Sequence, residues 1–264
     1  MSKTTRAPCP QCNRGPKDKA LAITEDERGT VEYCHRCGYV KADNFERRPI
    51  DPIRAAPAKS AEPLEWSDKA ASIWRRTVPL RGSLGQMYLE HRGCVMPPPD
   101  SDLRYLEPTD RHPPSLCARV CDAQTNKPMT LHFTRLAADG RAKAGMEQDK
   151  LLLAGHRKQG GVIRLWPDEA VTRGLALAEG IESGLAAARL HTPIWATVDA
   201  GNLAKFPVLD GVEALTIYAD HDPAGLKAAK ECARRWHAAG REVHIRAPRA
   251  PGADAADVSR EVAA

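Results

Sequence analysis

Two groups of side chains in this sequence have the types and spacing that metal chemistry requires, and the first is a set of four cysteines. Cys9 and Cys12 form one CxxC pair, and Cys34 and Cys37 form a second. Each pair can bring two thiolates to one ion from a tight turn, and four thiolates complete the tetrahedral shell of a structural zinc site. We therefore predict one structural Zn²⁺ here. Disulfide bonds are the alternative, which the lack of a secretory signal segment before Cys9 disfavours.

The second group consists of carboxylates that follow short apolar runs. They are Glu179, Asp220, Asp222, Asp254 and Asp257. If the runs are parallel strands, the residues after them meet at one edge of the sheet, where ligands bind. Clustered carboxylates repel one another unless a cation compensates them, and oxygen ligands favour Mg²⁺ or Mn²⁺. We predict a catalytic metal site there. For Asp222, which precedes a proline, capping of a helix is the alternative.

The elements that must position these carboxylates are predicted from the alternation of apolar runs and helical segments. The runs are GLALA, PIWATV, ALTIYA and EVHIRA, and helices are expected at 182–190 and 223–239. Strands and helices alternating at this spacing predict an α/β unit with a parallel sheet and helices on both faces. Before this unit, we expect helices around residues 66–74 and 88–91 and a β-hairpin at 115–136.

Composition and motifs divide the chain into four predicted segments. They are a zinc ribbon at 1–45, a Pro-rich flexible linker at 46–63, an α+β region at 64–171 and a catalytic domain at 172–264. The 264 residues are 42% hydrophobic and 28% charged, without a membrane-spanning apolar run. We therefore expect no membrane partner and a cytoplasmic location. The net charge of +5 permits a nucleic-acid partner.

Two of these motifs occur together in a known family. Glu-Gly in LALAEG and Asp-x-Asp in TIYADHDPAG, each followed by a helix, resemble the Toprim domain, which primases, topoisomerases, RecR-type recombination mediators and some nucleases share. The resemblance covers roughly residues 172–258. It implies a Toprim-type parallel sheet flanked by helices, with Glu179, Asp220 and Asp222 as catalytic residues and metal ligands. Asp254 and Asp257 resemble a third acidic segment but lack the asparagine that primases often carry between them.

The order of the segments is similar to that of DnaG-like primases from phages and plasmids. This resemblance implies a DNA primase, which makes short RNA primers on single-stranded DNA from nucleoside triphosphates. A phage-encoded protein of this kind would work in the cytoplasm of a bacterial host. The resemblance to primases also implies that Lys150, Arg135 and His132 hold template or incoming nucleotide, with Lys143 as a further candidate. In the zinc ribbon, His35 and Arg36 are candidates for template recognition. An ordinary solvated cation remains the alternative for Lys143.

Two other Toprim functions stay open at this point. A RecR-like mediator also combines four cysteines with a Toprim domain and binds DNA without polymerising nucleotides, and a Toprim nuclease would use the same metal chemistry. The sequence contains no GxxxxGK[ST] motif of an ATPase. For a primase, we therefore expect the replicative helicase of the primosome to be a separate protein.

Overall fold

The structure is a computed structural model that describes residues 3–12, 15, 16, 18–26, 29–37, 39–43 and 66–253. It divides into two compact units, Met1–Ser60 and Ala61–Ala264. The linker predicted at 46–63 lies outside the described residues, and the domain boundaries that composition suggested stay predictions.

The first unit is a small four-stranded antiparallel sheet. Its strands are β1 (Lys3–Ala7), β2 (Leu21–Asp26), β3 (Gly29–Cys34) and β4 (Val40–Asp43), paired in that order. Its described core consists of the buried residues Cys9, Leu21 and Cys34, with a few partly buried neighbours. So small an apolar core stabilises little by itself, which fits a fold that depends on metal binding.

The second unit contains a sheet of nine strands. They are β5 (Leu103–Leu106), β6 (Ser115–Asp122), β7 (Pro128–Arg135), β8 (Lys150–Leu152), β9 (Gly161–Arg164), β10 (Gly174–Ala178), β11 (Ile194–Ala196), β12 (Ala214–Tyr218) and β13 (Glu242–Arg246). The order across the sheet is β13-β12-β10-β11-β9-β6-β7-β8, with β5 beside β6. The predicted hairpin is confirmed as β6 and β7.

Five α-helices accompany this sheet in the described residues. They are α1 (Asp68–Arg75), α2 (Leu84–His91), α3 (Ile181–Ala187), α4 (Ala200–Lys205) and α5 (Pro223–Ala238), and a 3-10 turn covers Asp168–Ala170. Side chains of Ser67, Ser83, Asp199 and Asp222 accept backbone N–H hydrogen bonds at the starts of α1, α2, α4 and α5. These caps satisfy N–H groups that a helix start leaves without partners. The helices predicted from apolar spacing are confirmed, although α3 ends three residues early.

Alternate residues of the parallel strands face two separate cores. Ala176 and Ala178 of β10 pack in the core that contains α3, whereas Leu175 and Leu177 pack in the core that contains α4 and α5. Helices therefore cover both faces, as predicted for an α/β sheet.

The sheet is mixed, which the sequence did not indicate. Strands β10 to β13 are parallel, but β9 pairs antiparallel with β11 on one side and with β6 on the other. Strand β9 therefore joins the α+β region and the parallel region into one continuous sheet. No helix in the described residues is long and apolar enough to cross a bilayer.

Candidate functional site

The order in which the parallel strands are added to the sheet reverses at β10. The chain passes from β10 to β11 on one side and then to β12 on the other, and Ala178 lies level with both Ala196 and Tyr218. Glu179 and Asp220 therefore leave the sheet at the same edge, together with the loop after β11. In open α/β sheets, ligands bind at such a switch point, outside the carboxyl ends of the strands.

Glu179 is half-buried at this edge, and its carboxylate accepts a hydrogen bond from the backbone N–H of Ala200. Burial raises the pKa of Glu179, and the neighbouring carboxylates of Asp220, Asp222 and Asp199 raise it further. The carboxylates of this edge therefore repel one another. A bound divalent cation would relieve this repulsion, and carboxylate oxygens are ligands that Mg²⁺ and Mn²⁺ favour.

Asp222 performs the capping role that its position before Pro223 suggested. Its Oδ1 accepts a hydrogen bond of 2.7 Å from the N–H of Gly225. Glycine is required at 225, because a Cβ there would lie 2.7 Å from the carbonyl oxygen of Asp220. The cap and the glycine together fix the loop that carries both aspartates.

The loop after β13 is hydrogen-bonded to the loop that carries Asp220 and Asp222. The N–H of His221 donates to the carbonyl oxygen of Ala253, and the N–H of Gly252 donates to that of His221. His221 Nδ1 lies 2.7 Å from the carbonyl oxygen of Pro248. Asp254 and Asp257 lie outside the described residues, so their predicted role as ligands stays a prediction.

Asp199 also lies among the acidic residues of this edge. It caps α4 through the N–H of Asn202 at 2.9 Å and pairs with Lys158 at 2.7 Å. Val198, before it, has a φ of 72°. A β-branched residue rarely adopts this conformation, and such strain is often found at functional sites.

Glu182, three residues after Glu179, organises the basic side chains. It is 7% exposed, and its carboxylate accepts a hydrogen bond of 2.6 Å from the Tyr88 hydroxyl. The same carboxylate forms ion pairs with Lys143, at 3.2 Å, and with Lys150. Burial alone would raise its pKa, but Lys150, Tyr88 and Lys143 lower the pKa of Glu182 to about 2. Its charge therefore holds two lysines beside the acidic edge.

Two of the basic residues that the family resemblance implied meet Glu179 in one small cleft. His132, Lys150, Glu179 and Gly180 all line it. His132 is buried, and its Nδ1 has no hydrogen-bond partner among the described residues. Burial, and then the charge of Lys150, lower the pKa of His132 to about 4, so the ring is neutral at pH 7.

Arg135 does not join this cleft. On β7 its side chain projects to the face opposite His132, since neighbouring side chains of a strand alternate. Its guanidinium donates to the carbonyl oxygen of Gln148 at 3.3 Å and lies 3.8 Å from the sulfur of Met146. Its predicted contact with template or nucleotide stays a prediction.

The four cysteines of the first unit come together. All four Sγ atoms lie within 4.8 Å of one another, with 3.7 Å between Cys9 and Cys37 and 3.6 Å between Cys12 and Cys34. Four sulfurs around a tetrahedral zinc ion are about 3.8 Å apart, given Zn–S distances of about 2.3 Å. The cluster therefore fits zinc. Of the described residues, only these four bring three or more ligand atoms this close.

The two residues predicted for template recognition differ in their surroundings. His35 is exposed and makes an edge contact with the ring of Tyr33, at 4.9 Å between centroids. Arg36 donates to both carboxylate oxygens of Asp18, at 2.7 and 2.9 Å. A bidentate pair of this kind leaves Arg36 less of its hydrogen-bonding capacity for a phosphate.

The residues of the acidic edge lie in a segment that matches a known family. Residues 174–264 match the family described as the Toprim domain. This Toprim segment begins at β10 and contains Glu179, Asp220 and Asp222. Residues 65–165 match a second family, described as a domain of unknown function (DUF7146). Each match covers less than half of the chain.

Among solved structures, two primases are similar to this chain. The zinc-binding and RNA polymerase domains of the Aquifex aeolicus primase are 15% identical with a TM-score of 0.47, over 98% of this chain and 75% of that one. A DNA primase domain from Pseudomonas aeruginosa is 16% identical with a TM-score of 0.39, over 69% of this chain. This chain covers 57% of the Pseudomonas domain. No curated protein sequence matches.

Proposed function

We propose that this protein is a DNA primase that synthesises short RNA primers on single-stranded DNA. The observation that carries this proposal is the carboxylate edge of the Toprim segment, with Glu179 and Asp220 at the switch point and two lysines held beside it by Glu182. Such an edge suits metal-dependent chemistry on phosphates, because it combines ligands for cations with cations for phosphates.

The proposed reaction is attack of a primer 3′-hydroxyl on the α-phosphate of a nucleoside triphosphate. A new phosphoester bond forms, the bond to the β-phosphate breaks, and pyrophosphate leaves. Mg²⁺ or Mn²⁺ held by Glu179, Asp220 and Asp222, with Asp254 and Asp257 as further ligands, would supply charge neutralisation and acidify the hydroxyl. In the alternative arrangement, Glu179 does not bind the metal and instead accepts the hydroxyl proton as a general base.

The basic residues would bind the triphosphate and the template. The Lys150 ammonium lies next to the Gly180 backbone, where an added Cβ would be 3.9 Å from its Nζ. Lys150 can therefore reach a phosphate that approaches Glu179, and Lys143 can assist it from the other oxygen of Glu182. Neutral His132, which lines the same cleft, would contact the nucleotide there.

The cysteine cluster of the first unit would hold one structural Zn²⁺ and recognise the template with His35 and Arg36. Single-stranded DNA and nucleoside triphosphates are then the substrates, an RNA primer is the product, and a separate replicative helicase of the primosome is the expected partner. The phage or plasmid origin and a cytoplasmic location belong to the same proposal.

The test is primer synthesis by the full chain on single-stranded DNA of mixed sequence, with labelled ribonucleotides and Mg²⁺. Glu179→Gln and Asp220→Asn should each lower the yield of short RNA by about a hundredfold or more, because each removes a ligand and a charge. Asp210→Asn, at an exposed position, is the matched control and should leave the yield unchanged. Cleavage of the DNA would indicate a nuclease, and binding without turnover would indicate a RecR-like mediator; either result contradicts a primase.

A further inference from the structure

A second cavity of the large unit lies apart from the acidic edge and is lined by arginines. It has a volume of about 410 Å³ and is formed by the end of α1, the segments at 79–81 and 96–101, and strands β5 and β6. Three arginines line it: Arg81, Arg104 and Arg119. It shares no lining residue with the cleft at Glu179. We call it the Trp74 groove.

The arginines of the Trp74 groove differ in whether a carboxylate neutralises them. Arg119 forms an ion pair with the buried Asp102, with 2.6 Å between its Nη2 and the Asp102 Oδ1. Neither Arg81 nor Arg104 forms an ion pair within the described part of the chain. The guanidinium of Arg104 instead lies 5.5 Å from the centroid of the Trp74 ring. This contact restricts Arg104 in advance, so less side-chain entropy is lost when its N–H groups bind an anion.

Most of the other residues that line the Trp74 groove are apolar. Leu80, Met96, Leu103, Pro97 and Pro98 are among its lining residues. Ser101 lines the groove too, and its buried hydroxyl has no hydrogen-bond partner among the described residues. A ligand that fits should therefore combine an anionic group with a flat apolar group.

The groove also has a neighbour that extends it. A cavity of about 350 Å³ shares Pro79 and Arg81 with it and continues along the segment at 78–84 to Tyr105 and the exposed Glu107. Two adjoining cavities with a shared arginine suit a polymer better than a single small molecule. Single-stranded nucleic acid carries a phosphate and a base in every unit, whereas an acidic peptide offers charge without a flat apolar face.

We infer that the Trp74 groove binds single-stranded nucleic acid, with Arg81 and Arg104 on phosphates and the apolar lining residues against a base. The choice of nucleic acid as the ligand rests on the proposed primase function. In that function, the groove holds template at a distance from the acidic edge, so that the strand is retained between successive nucleotide additions.

The test is binding of a fluorescent oligothymidine to the full chain, measured by anisotropy without Mg²⁺ over a range of salt concentrations. The double variant Arg81→Gln/Arg104→Gln should bind about tenfold more weakly or worse, because two phosphate contacts are lost. The slope of log affinity against log salt should fall by about 0.7 for each lost contact. Arg173→Gln, at a side chain 83% exposed in the same unit, is the matched control and should leave both values unchanged.

Several outcomes decide the inference. Wild-type affinity and an unchanged slope in a folded double variant, as judged by tryptophan fluorescence during thermal unfolding, would overturn it. Equal binding of a polyglutamate peptide that displaces the oligothymidine would overturn it in favour of an acidic protein partner. Glu179→Gln should still bind the oligothymidine. If the groove variant loses binding while the wild type makes no RNA, the inference stands and the primase proposal fails.

Discussion

The carboxylate of Glu182 is shared by a tyrosine and two lysines that come from distant parts of the chain. Tyr88 lies on α2, Lys143 precedes β8, and Lys150 begins β8. One buried anion therefore ties three segments to the first turn of α3, immediately after Glu179. Removing a buried charge partner leaves the opposite charges uncompensated, which costs more than the loss of a surface ion pair.

We expect Glu182→Gln to lower stability at neutral pH and to do so less in acid. Glutamine keeps the shape but not the charge. Because the pKa of Glu182 is lowered from 4.5 to about 2, its stabilising charge is fully present above pH 4.5 and is lost as the pH falls towards 2. Across this window the advantage of the wild type should shrink by about 3 kcal/mol at low salt.

The measurement is urea unfolding followed by tryptophan fluorescence, from pH 7 down to the lowest pH at which the protein is folded. All five tryptophans lie after residue 61, so the signal reports only on the second unit. Glu213→Gln, at an exposed position, is the control and should show no such trend. A difference between wild type and Glu182→Gln that does not change with pH would refute the ionic role of Glu182.

The sequence predicted Glu179, Asp220 and Asp222 as a group because each follows an apolar strand, and the structure brings them to one edge. Glu182 was missed, although it is the one charged residue in α3, which otherwise contains apolar and small residues. That pattern indicates a buried charge. Its partners could not be predicted, because Lys150 is 32 residues away and Tyr88 is 94 residues away.

At the scale of elements, the start of α5 fixes the loop that carries Asp220 and Asp222. Gly225 is buried against the backbone of Asp220, and no atom of a larger side chain fits between them. The close approach of helix and strand end explains why a glycine stands in the first turn of a helix, where its conformational freedom is otherwise unfavourable.

Gly225→Ala should therefore disturb the acidic edge as well as the helix. The new Cβ would lie 2.7 Å from the carbonyl oxygen of Asp220, so the loop must shift, and we expect a destabilisation of about 1–3 kcal/mol with loss of primer synthesis. Gly174→Ala is the matched control, because no atom lies within 4 Å of its added Cβ. Thermal unfolding should show a lower midpoint for Gly225→Ala but not for Gly174→Ala, and the primer assay should show a lower yield for Gly225→Ala alone. Full activity in Gly225→Ala would mean that the loop position is unimportant.

The strands that form the parallel part of the sheet were predictable, because each is a short apolar run before a turn. The strands β5 and β8 and the helix α4 of the second unit were missed. Strand β8 has only three residues, and α4 has six. Elements this short carry no periodic pattern, so pairing with a neighbouring strand or packing in the core defines them.

At the scale of the whole molecule, the two units are stabilised in different ways. The large unit has extensive cores on both faces of its sheet, whereas the described core of the small unit is built around its cysteines. The continuity of the large sheet through β9 could not be predicted, because residues 161–164 look like any short extended segment in the sequence.

Removing zinc should unfold the small unit and leave the large one intact. After treatment with a strong chelator, amide protons of β2 and β3 should lose protection from exchange, because the thiolates no longer share an ion. The midpoint of tryptophan-monitored unfolding should not change. Readdition of Zn²⁺ should restore protection, and Cys34→Ser should resemble the chelated protein. Retained protection in the chelated protein would show that its strands form without metal.

The outer strands of the large sheet affect how the protein behaves at high concentration. Within the described residues, β13 forms one edge and exposes Glu242, His244 and Arg246 beside Ile245, and the short β8 forms the opposite edge with Lys150. Charged edge strands and very short ones discourage pairing with another copy. Lys150 would thus serve solubility as well as phosphate binding, and its replacement by an apolar residue should be checked for aggregation before lost activity is assigned to chemistry.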